Sequence, residues 1–288
     1  MKPVEFTFNL GSSVEDSLAK LSELGEDCKI IAGGQSLGPM LNYRVVRPTS
    51  VIDIGRIAVL REISHDADKI SIGAAVSHAA IEDWNCRLPL ERFLSKVARG
   101  IAYRAIRNRG TIGGSLAHAD PAADWPVVVS ALNAEIEIRS LKRLRIISAR
   151  KLFLDQMETA LAPHEVLTRI TIERGAPRRT YGYYKIARKT GEFADSISAV
   201  CLDLKEERAI SEANVWLGAA LATPCQLTEV ERLLKGKRAG DWSPDWVSEA
   251  VRGALPSPEN EYERYKLQLH CVAVARALQD ALGSSIND

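Results

Sequence analysis

Two short glycine-rich segments contain the residues of this sequence whose types and spacing could do chemistry. The first, IAGGQSLGPM, covers residues 31–40, and the second, TIGGSLAHAD, covers residues 111–120. Glycine lets a backbone approach a ligand closely, and the N–H groups of such turns can stabilise phosphate oxygens. Gln35 and Ser36 would add side-chain donors. The two segments therefore predict a site for a phosphate-bearing ligand, and the alternative is a tight turn that needs only a positive φ.

Neither segment fits a familiar nucleotide motif. Gly33 and Gly38 have the spacing of a P-loop, but Pro39 and Met40 stand where that motif requires Lys and Ser or Thr. The sequence contains no G-x-G-x-x-G, so a Rossmann dinucleotide site has no support. A phosphate site built from backbone N–H groups stays open, because it requires only small residues and a suitable turn.

Cysteine and histidine do not predict a metal or iron–sulfur site. The cysteines are spread so that no two lie within 20 residues of each other: Cys28, Cys86, Cys201, Cys225 and Cys271. That spacing fits neither a disulfide framework nor the grouped thiolates of a zinc or iron–sulfur site. His78 and His118 have no partner at ligand spacing, and His118 is expected to make a hydrogen bond rather than to catalyse. We therefore expect no bound metal, no catalytic residue, and cysteines that pack as small hydrophobes.

Composition and charge argue against several classes of protein. The 288 residues carry 38 Lys and Arg against 37 Asp and Glu, so no overall charge draws the chain to nucleic acid or to an anionic membrane. No apolar run approaches the roughly 18 residues of a membrane span, and the N-terminal MKPVEFTFNL lacks the apolar region of a signal peptide. A basic run, Arg99, Arg104, Arg107 and Arg109, is interpreted as a subunit contact or a solvated face. The sequence predicts a globular, cytoplasmic protein.

Helices and strands must position the two glycine segments. A capping box of Ser12 and Glu15 opens a helix that ends at Gly25, and an apolar strand over 29–32 leads directly into the first segment. The next strand is SVIDIG, at 50–55. The first segment is therefore expected inside a β-α-β unit, at the end of a buried strand.

The remaining pattern mixes helices and strands. Strands are expected over 69–76, 134–139, 143–147 and 166–172, and helices over 78–85, 88–109 and 124–132. A linker at 173–180 precedes three strands, YGYYKIA, SISAVCLDL and ISEANVWLGAAL, which should form an antiparallel meander. Three helices then follow, the last from Tyr262 to Leu282. The pattern predicts an α+β fold.

The longer sequences around the glycine segments resemble one protein family. RNRGTIGGSLAHADPAAD, at 107–124, and IAGGQSLGPMLNYRVVRPTSVIDI, at 31–54, are similar to the FAD-binding medium subunit of the molybdenum hydroxylases. The type members are the medium chain of bacterial aerobic carbon monoxide dehydrogenase and the flavin domain of xanthine dehydrogenase. TALAPHEVL, GYYKIARKTGEFA and KLQLHCVAVARAL match further family segments. The resemblance extends over nearly the whole chain.

This resemblance implies a fold. Residues 1–175 would form an FAD-binding domain of the vanillyl-alcohol-oxidase type, made of two α+β subdomains at about 1–57 and 58–175. Residues 178–288 would form a C-terminal domain of the carbon monoxide dehydrogenase flavoprotein type, with a three-stranded antiparallel sheet and helices. FAD would lie extended between these parts.

The resemblance also implies which residues bind FAD. Residues 29–36 would hold the diphosphate and the adenosine side, and Thr111, Gly114 and Ser115 would bind from the second segment. Asp124 would meet ribityl or adenosine hydroxyls, and Leu167 would lie near the adenine. Lys185 would lie near the flavin ring, where its charge would favour the anionic reduced ring and raise the reduction potential. The implied binding residues are Lys29, Ile30, Ile31, Ala32, Gly33, Gly34, Gln35, Ser36, Ile101, Thr111, Gly113, Gly114, Ser115, Asp124, Leu167 and Lys185. The sequence departs from the family at Ser115, where Asn is common, and at residues 266–268, where arginines are frequent.

The implied function is that of an electron-transfer flavoprotein subunit. A large partner with a molybdenum–pterin cofactor would oxidise the substrate, and a small partner with two [2Fe–2S] clusters would relay electrons to the FAD. The FAD would pass them to an external acceptor, within a dimer of heterotrimers. Two alternatives stay open at this point: a free-standing flavin oxidoreductase of the same fold with its own substrate pocket, and a nucleotide-binding module with no redox role.

Overall fold

The computed structural model describes residues 2–84, 88–238 and 240–283. Cys86 and Asn85, the last residue of the predicted helix over 78–85, lie outside these residues. The described strands form three larger sheets and one two-stranded ribbon. Each larger sheet contributes residues to the cleft described below.

The first sheet is parallel and is formed by the N-terminal part of the chain. Its elements are β1 (Thr7–Leu10), α1 (Val14–Leu24), β2 (Cys28–Ile31), α2 (Leu37–Asn42) and β3 (Ser50–Asp53). The strand order is β1-β3-β2, with both pairs parallel. Parallel strands place their carboxyl ends at one edge of a sheet, so β2 delivers residues 32–36 to that edge, as the predicted β-α-β unit requires.

Helix α1 begins one residue later than the sequence predicted. The hydroxyl of Ser13 accepts the backbone N–H of Asp16 at 3.0 Å, and the Asp16 carboxylate accepts the backbone N–H of Ser12 at 2.8 Å. The predicted box of Ser12 and Glu15 is therefore wrong by one position, because Ser13 caps the helix and Asp16 accepts the N–H of Ser12, the residue before the cap. Gly25 ends the helix with a φ of 76°, as expected.

The second sheet is antiparallel, with the strand order β4-β5-β10-β6-β7. Its early elements are β4 (Ile63–His65), β5 (Lys69–Gly73), α3 (His78–Glu82), α4 (Pro89–Arg99), α5 (Arg104–Arg107), α6 (Ile112–His118) and α7 (Asp124–Ala131). The later elements are β6 (Glu135–Arg139), β7 (Leu144–Ser148), the ribbon strands β8 (Phe153–Asp155) and β9 (Glu158–Thr159), and β10 (Val166–Glu173). The long run of helices between β5 and β6 carries the second glycine segment.

The third sheet is the antiparallel meander that the sequence predicted. It contains β11 (Arg179–Ile186), β12 (Ser196–Leu204), β13 (Ile210–Gly218) and a two-residue fourth strand, β14 (Cys225–Gln226), in that order. Helices α8 (Thr228–Leu234), α9 (Pro244–Ala254) and α10 (Glu261–Leu282) follow. α10 lies very close to β11, because a Cβ on Gly182 would stand 1.9 Å from the carbonyl oxygen of Ala277. A glycine is needed there for the helix to pack on the strand.

The third sheet is covered on both faces. One face packs on α8, α9 and α10 around Val200, Leu202 and Val215. The other face joins the core of the second sheet through Ala199 and Trp216, and the wholly buried α7 contacts β12 and β13. This packing fixes the end of β11 relative to the start of α7. Among the residues that the structure describes, no helix is both long and apolar enough to cross a membrane.

Candidate functional site

A cavity of about 540 Å³ lies where parts of the three sheets meet. A volume of this size is typical of small-molecule and cofactor sites. Every residue that the family resemblance implied lines this one cavity: residues 29–36, Ile101, Thr111, Gly113, Gly114, Ser115, Asp124, Leu167 and Lys185. The structure therefore brings together residues from distant parts of the sequence, which sequence spacing alone could not have grouped.

The first glycine segment offers a row of free backbone donors. In the described part of the chain, the N–H groups of Gly33, Gly34, Gln35 and Ser36 donate to no other protein group. Gly34 has a φ of 72°, which favours glycine. The Gln35 side-chain amide donates to the Gly33 carbonyl oxygen at 3.1 Å, so part of its predicted donor capacity stabilises the loop itself. Consecutive N–H groups of this kind form an anion-binding concavity.

The second glycine segment is built differently from the first, because it turns into helix α6 at Thr111. The Thr111 hydroxyl accepts the N–H of Gly114 at 3.0 Å, and the N–H of Gly113 donates to the Ala74 carbonyl oxygen at 2.9 Å. The N–H of Ser115 is likewise bonded, to the Thr111 carbonyl oxygen. The hydroxyl hydrogens of Thr111 and Ser115 are among the donors that this segment leaves for a ligand, and Gly113 allows α6 to pack closely on Ala74.

The first segment packs against the two residues that precede the second. A Cβ on Gly33 would lie 2.1 Å from the Arg109 carbonyl oxygen and 2.8 Å from the Gly110 Cα. A Cβ on Gly113 would lie 2.5 Å from the Cβ of Ala74. All three distances are shorter than real Cβ contacts, so Gly33 is needed for the first segment to pack on residues 109–110, and Gly113 for the second segment to pack on Ala74.

A buried polar group closes another side of the cavity. Asp124, only 5% exposed, accepts hydrogen bonds from Lys185 Nζ at 3.1 and 3.2 Å and from the Tyr183 hydroxyl. Burial raises the pKa of the Asp124 carboxyl, and the nearby Lys185 charge and the Tyr183 hydrogen bond act against that rise. Asp124 is the first residue of α7, whose N-cap is Ala123, so its carboxylate does not cap this helix.

His78 also faces the cavity and is not part of a metal site. Its Nδ1 accepts the indole N–H of Trp125 at 3.1 Å. Burial, with a contribution from the Arg107 charge, lowers the pKa of His78 to about 4, so the ring is neutral at ordinary pH. His118 lines the cavity as well. No group of three or more His, Cys, Asp and Glu side chains within the described ranges could hold a metal ion.

Two arginines of the basic run bind other residues of the same chain. Arg107 is buried and bonds Glu82 at 2.7 Å and the Ile101 and Ala102 carbonyl oxygens at 2.9 and 2.7 Å. Arg104 pairs with Glu82 and Asp83. The interpretation as a subunit contact or a solvated face is therefore wrong for the buried Arg107, whereas the exposed side chain of Arg104 stays compatible with it.

Several residues that line the cavity or support it were not singled out from the sequence. Phe193 stands at the cavity wall and is 66% exposed, and Glu165 lines the cavity while its carboxylate bonds Arg145 at 2.6 and 2.8 Å. The hydroxyl of the buried Tyr183 donates a hydrogen bond to Asp124. Phe193 and Tyr183 lie in the family-like segment GYYKIARKTGEFA, and this resemblance could have pointed to them as site residues.

Two family models match the chain. Residues 4–173 match the model described as the FAD binding domain in molybdopterin dehydrogenase, and residues 181–281 match the CO dehydrogenase flavoprotein C-terminal domain. The two matches cover the first and second sheets and the third sheet respectively.

Three similar proteins illustrate the relationship. The alpha subunit of the 6-hydroxypseudooxynicotine dehydrogenase complex of Paenarthrobacter nicotinovorans is 35% identical, over 98% of this chain and 96% of that one. Caffeine dehydrogenase subunit beta of Pseudomonas sp. (strain CBB1) is 33% identical, over 90% and 88%. The solved carbon monoxide dehydrogenase of Hydrogenophaga pseudoflava matches with a TM-score of 0.89 at 32% identity, over 98% of this chain and 99% of that one.

Proposed function

Because this chain belongs to the family of FAD-binding medium subunits of molybdopterin dehydrogenases, we propose that it transfers electrons from the iron–sulfur clusters of a partner subunit to an external acceptor. The chain is an oxidoreductase subunit whose cofactor is FAD, and the family that the two glycine segments indicated is confirmed. FAD supplies electron transfer in steps of one or two electrons. The finer role and the partners are the subject of the proposal.

The row of free N–H groups at Gly33, Gly34, Gln35 and Ser36 carries the proposal. A diphosphate has two negative charges, and four consecutive donors that no protein group uses suit it without a cluster of basic side chains. The hydroxyl groups of Thr111 and Ser115 lie on the wall that the second segment adds. The residues present therefore fit the dinucleotide.

We assign the remaining implied residues in the same cavity. The backbone of residues 29–32 leads into the diphosphate site, while Ile101 and Leu167 supply apolar wall for the ring systems. Asp124 accepts hydrogen bonds from cofactor hydroxyls, and Lys185 lies at the flavin end. Gly113 and Gly114 keep the second segment clear of the ligand.

The names of the similar proteins support substrate oxidation on another chain. The three relatives are subunits or structures of enzymes named for 6-hydroxypseudooxynicotine, caffeine and carbon monoxide, that is, for two nitrogen heteroaromatic compounds and a diatomic gas. Because these enzymes differ in substrate while their chains are similar, the similar chains are expected to share the electron-transfer role and not the substrate site. We propose a large molybdenum–pterin partner and a small [2Fe–2S] partner, assembled as a dimer of heterotrimers.

The purified chain alone tests this function. We expect the flavin absorbance at about 450 nm, release of FAD on denaturation and reduction of the flavin by dithionite. We expect no stoichiometric iron or molybdenum. Substrate should bleach the flavin only after both partner chains are added. Bleaching by substrate without partners would instead support a free-standing oxidoreductase, and a colourless chain that does not take up FAD would contradict the proposal.

Two further predictions belong to the proposal. The division of the chain at about residues 57 and 175–178 is supported by the distribution of strands among the three sheets. The cytoplasmic location stays a prediction from the sequence, and fractionation of cells that produce the protein tests it.

A further inference from the structure

His78 lies at the junction of the two glycine segments. It is the first residue of α3, and its backbone N–H donates to the Gly110 carbonyl oxygen at 2.9 Å. The preceding residue, Ser77, forms a β-bridge with Thr111. The His78 residue is 6% exposed, and the surface that remains lines the cavity. The imidazole is therefore held at the side of the cavity where the two glycine segments meet, beside the proposed diphosphate site.

Trp125 fixes the tautomer of this ring. An indole N–H can only donate, so the 3.1 Å contact between Trp125 Nε1 and His78 Nδ1 requires Nδ1 to be the unprotonated nitrogen. The ring is neutral at ordinary pH because its burial disfavours the charged form. A neutral imidazole with an unprotonated Nδ1 carries its hydrogen on Nε2.

The Nε2–H group has no acceptor in the parts of the chain that the structure describes. Nε2 lies on the side of Gly110, where a Cβ would stand 2.9 Å from it, and Gly110 itself lines the cavity. Buried donors are normally hydrogen-bonded, and leaving one unpaired is costly. His78 Nε2 is not among the fully buried unpaired atoms of the described residues, so it is open to the cavity, where a ligand oxygen or a water accepts its hydrogen.

We propose that His78 Nε2–H donates a hydrogen bond to an oxygen of the FAD diphosphate. The inference rests on the FAD site of the proposed function. The diphosphate is favoured over the ring systems because Gly110 also contacts Gly33, the first residue of the row of free N–H donors. A neutral donor in this position adds to that row without a proton transfer.

Binding by the apoprotein tests the proposal, with FAD, ADP and riboflavin as separate probes. His78→Phe should weaken FAD and ADP binding at least about tenfold, because a hydrogen bond to a charged oxygen is worth that much. Riboflavin, which has no phosphate, should bind as before. His78→Gln keeps an N–H donor and should recover most of the loss. His164→Phe, at an exposed histidine outside the cavity, is the matched control.

A spectroscopic readout separates a direct contact from a structural effect. In ¹⁵N-histidine-labelled protein, His78 should show a protonated Nε2 and an unprotonated Nδ1 at pH 7, and the Nε2–H proton should shift downfield when FAD or ADP binds. Unchanged FAD affinity in a folded His78→Phe variant would overturn the inference, as would an equal loss of riboflavin affinity. Failure of the wild-type chain to bind FAD would instead refute the proposed function.

Discussion

The ammonium group of Lys185 lies 3.1 and 3.2 Å from the two carboxylate oxygens of Asp124. The cation that the family resemblance places beside the flavin ring is therefore paired before any cofactor contact is made. The net charge of the pair is zero while both groups are ionised, so its effect on the flavin depends on the protonation of Asp124. Burial raises the pKa of that carboxyl, and the positive charge of Lys185 opposes the rise.

Lys185→Met should lower the reduction potential of the bound flavin by an amount that grows with pH. Without Lys185 the pKa of Asp124 rises further, so at low pH the variant site is neutral, like the wild-type pair. As pH rises, Asp124 ionises without a counter-charge and disfavours the reduced flavin, with an expected decrease of about 30 mV or more, which corresponds to roughly 1.4 kcal/mol for a two-electron couple. Spectroelectrochemical titration of both proteins from pH 6 to 9 measures the difference.

The double variant Lys185→Met/Asp124→Asn is the control for this pH dependence. It has no titrating group at the pair, so it should lack the decrease in potential that grows with pH in Lys185→Met. A raised potential in Lys185→Met would count against the placement of the pair beside the flavin.

Tyr183→Phe should destabilise the folded chain by about 1–3 kcal/mol, because it removes a hydrogen bond to a buried carboxylate. The Tyr183 hydroxyl donates to Asp124, and the residue is 7% exposed. Urea unfolding measures the change. The neighbouring Tyr184→Phe provides the control, since its side chain points to the other face of β11 and no described residue bonds its hydroxyl. Equal stabilities of the two variants would show that the Tyr183 bond contributes nothing.

Gly34→Val should abolish the retention of FAD and leave a folded chain. The φ of 72° at Gly34 is strained for a branched residue, and the new Cβ would lie 3.2 Å from Ile31 Cδ1. Either effect displaces the row of free N–H groups. Gly38→Val is the matched change, because a Cβ there meets nothing within 4 Å. FAD content per chain after gel filtration is the measurement, and full content in a folded Gly34→Val protein would remove the first segment from the cofactor site.

Glu165→Gln should cost stability that depends on pH. The Arg145 hydrogen bond lowers the pKa of Glu165 from 4.5 to about 2 in the folded chain, and the Glu165 side chain is 2% exposed. A lowered folded pKa contributes stability above the unfolded pKa, and this contribution is lost as pH falls from about 5 towards 2. The wild type should exceed the variant by about 3 kcal/mol at pH 7 and by less than half of that at pH 3.

Unfolding by urea at the two pH values checks the Glu165 prediction. Glu158→Gln removes an exposed carboxylate that has no ion-pair partner in the described part of the chain, so it should change stability little at either pH. A Glu165→Gln effect of the same size at pH 7 and pH 3 would show that packing, and not the ionised carboxylate, is responsible.

Strong periodic patterns made much of the fold predictable from the sequence. The meander from β11 to β13 and the helix α10 were expected with bounds close to those observed, because long apolar alternation or helical spacing dominates such segments. β1 was missed, since Phe8 and Leu10 are more than half exposed and give its four residues no buried face to recognise. Helix α6 was taken for a loop because its first turn is Ile-Gly-Gly, a poor helix-forming sequence that Thr111 caps.

The site was predictable only in part. The family resemblance implied residues that the structure does bring to one cavity. The bonds among those residues, however, depend on tertiary packing. The pairing of Asp124 with Lys185 joins α7 to β11, and no local pattern encodes it. The ion pair between Arg107 and Glu82 likewise depends on tertiary packing and on no local pattern. The difference between the free N–H groups of the first segment and the bonded ones of the second also appears only once α6 and Ala74 are in place.

The contact of Gly33 with the Arg109 carbonyl oxygen has a consequence for biosynthesis. The strands of the first sheet leave the ribosome early, but the wall that completes the proposed diphosphate site comes from a much later part of the chain, and Lys185 arrives later still. N-terminal parts of a chain fold first during synthesis. We therefore expect the nascent chain to expose an incomplete diphosphate site, and cofactor loading to follow the translation of β11.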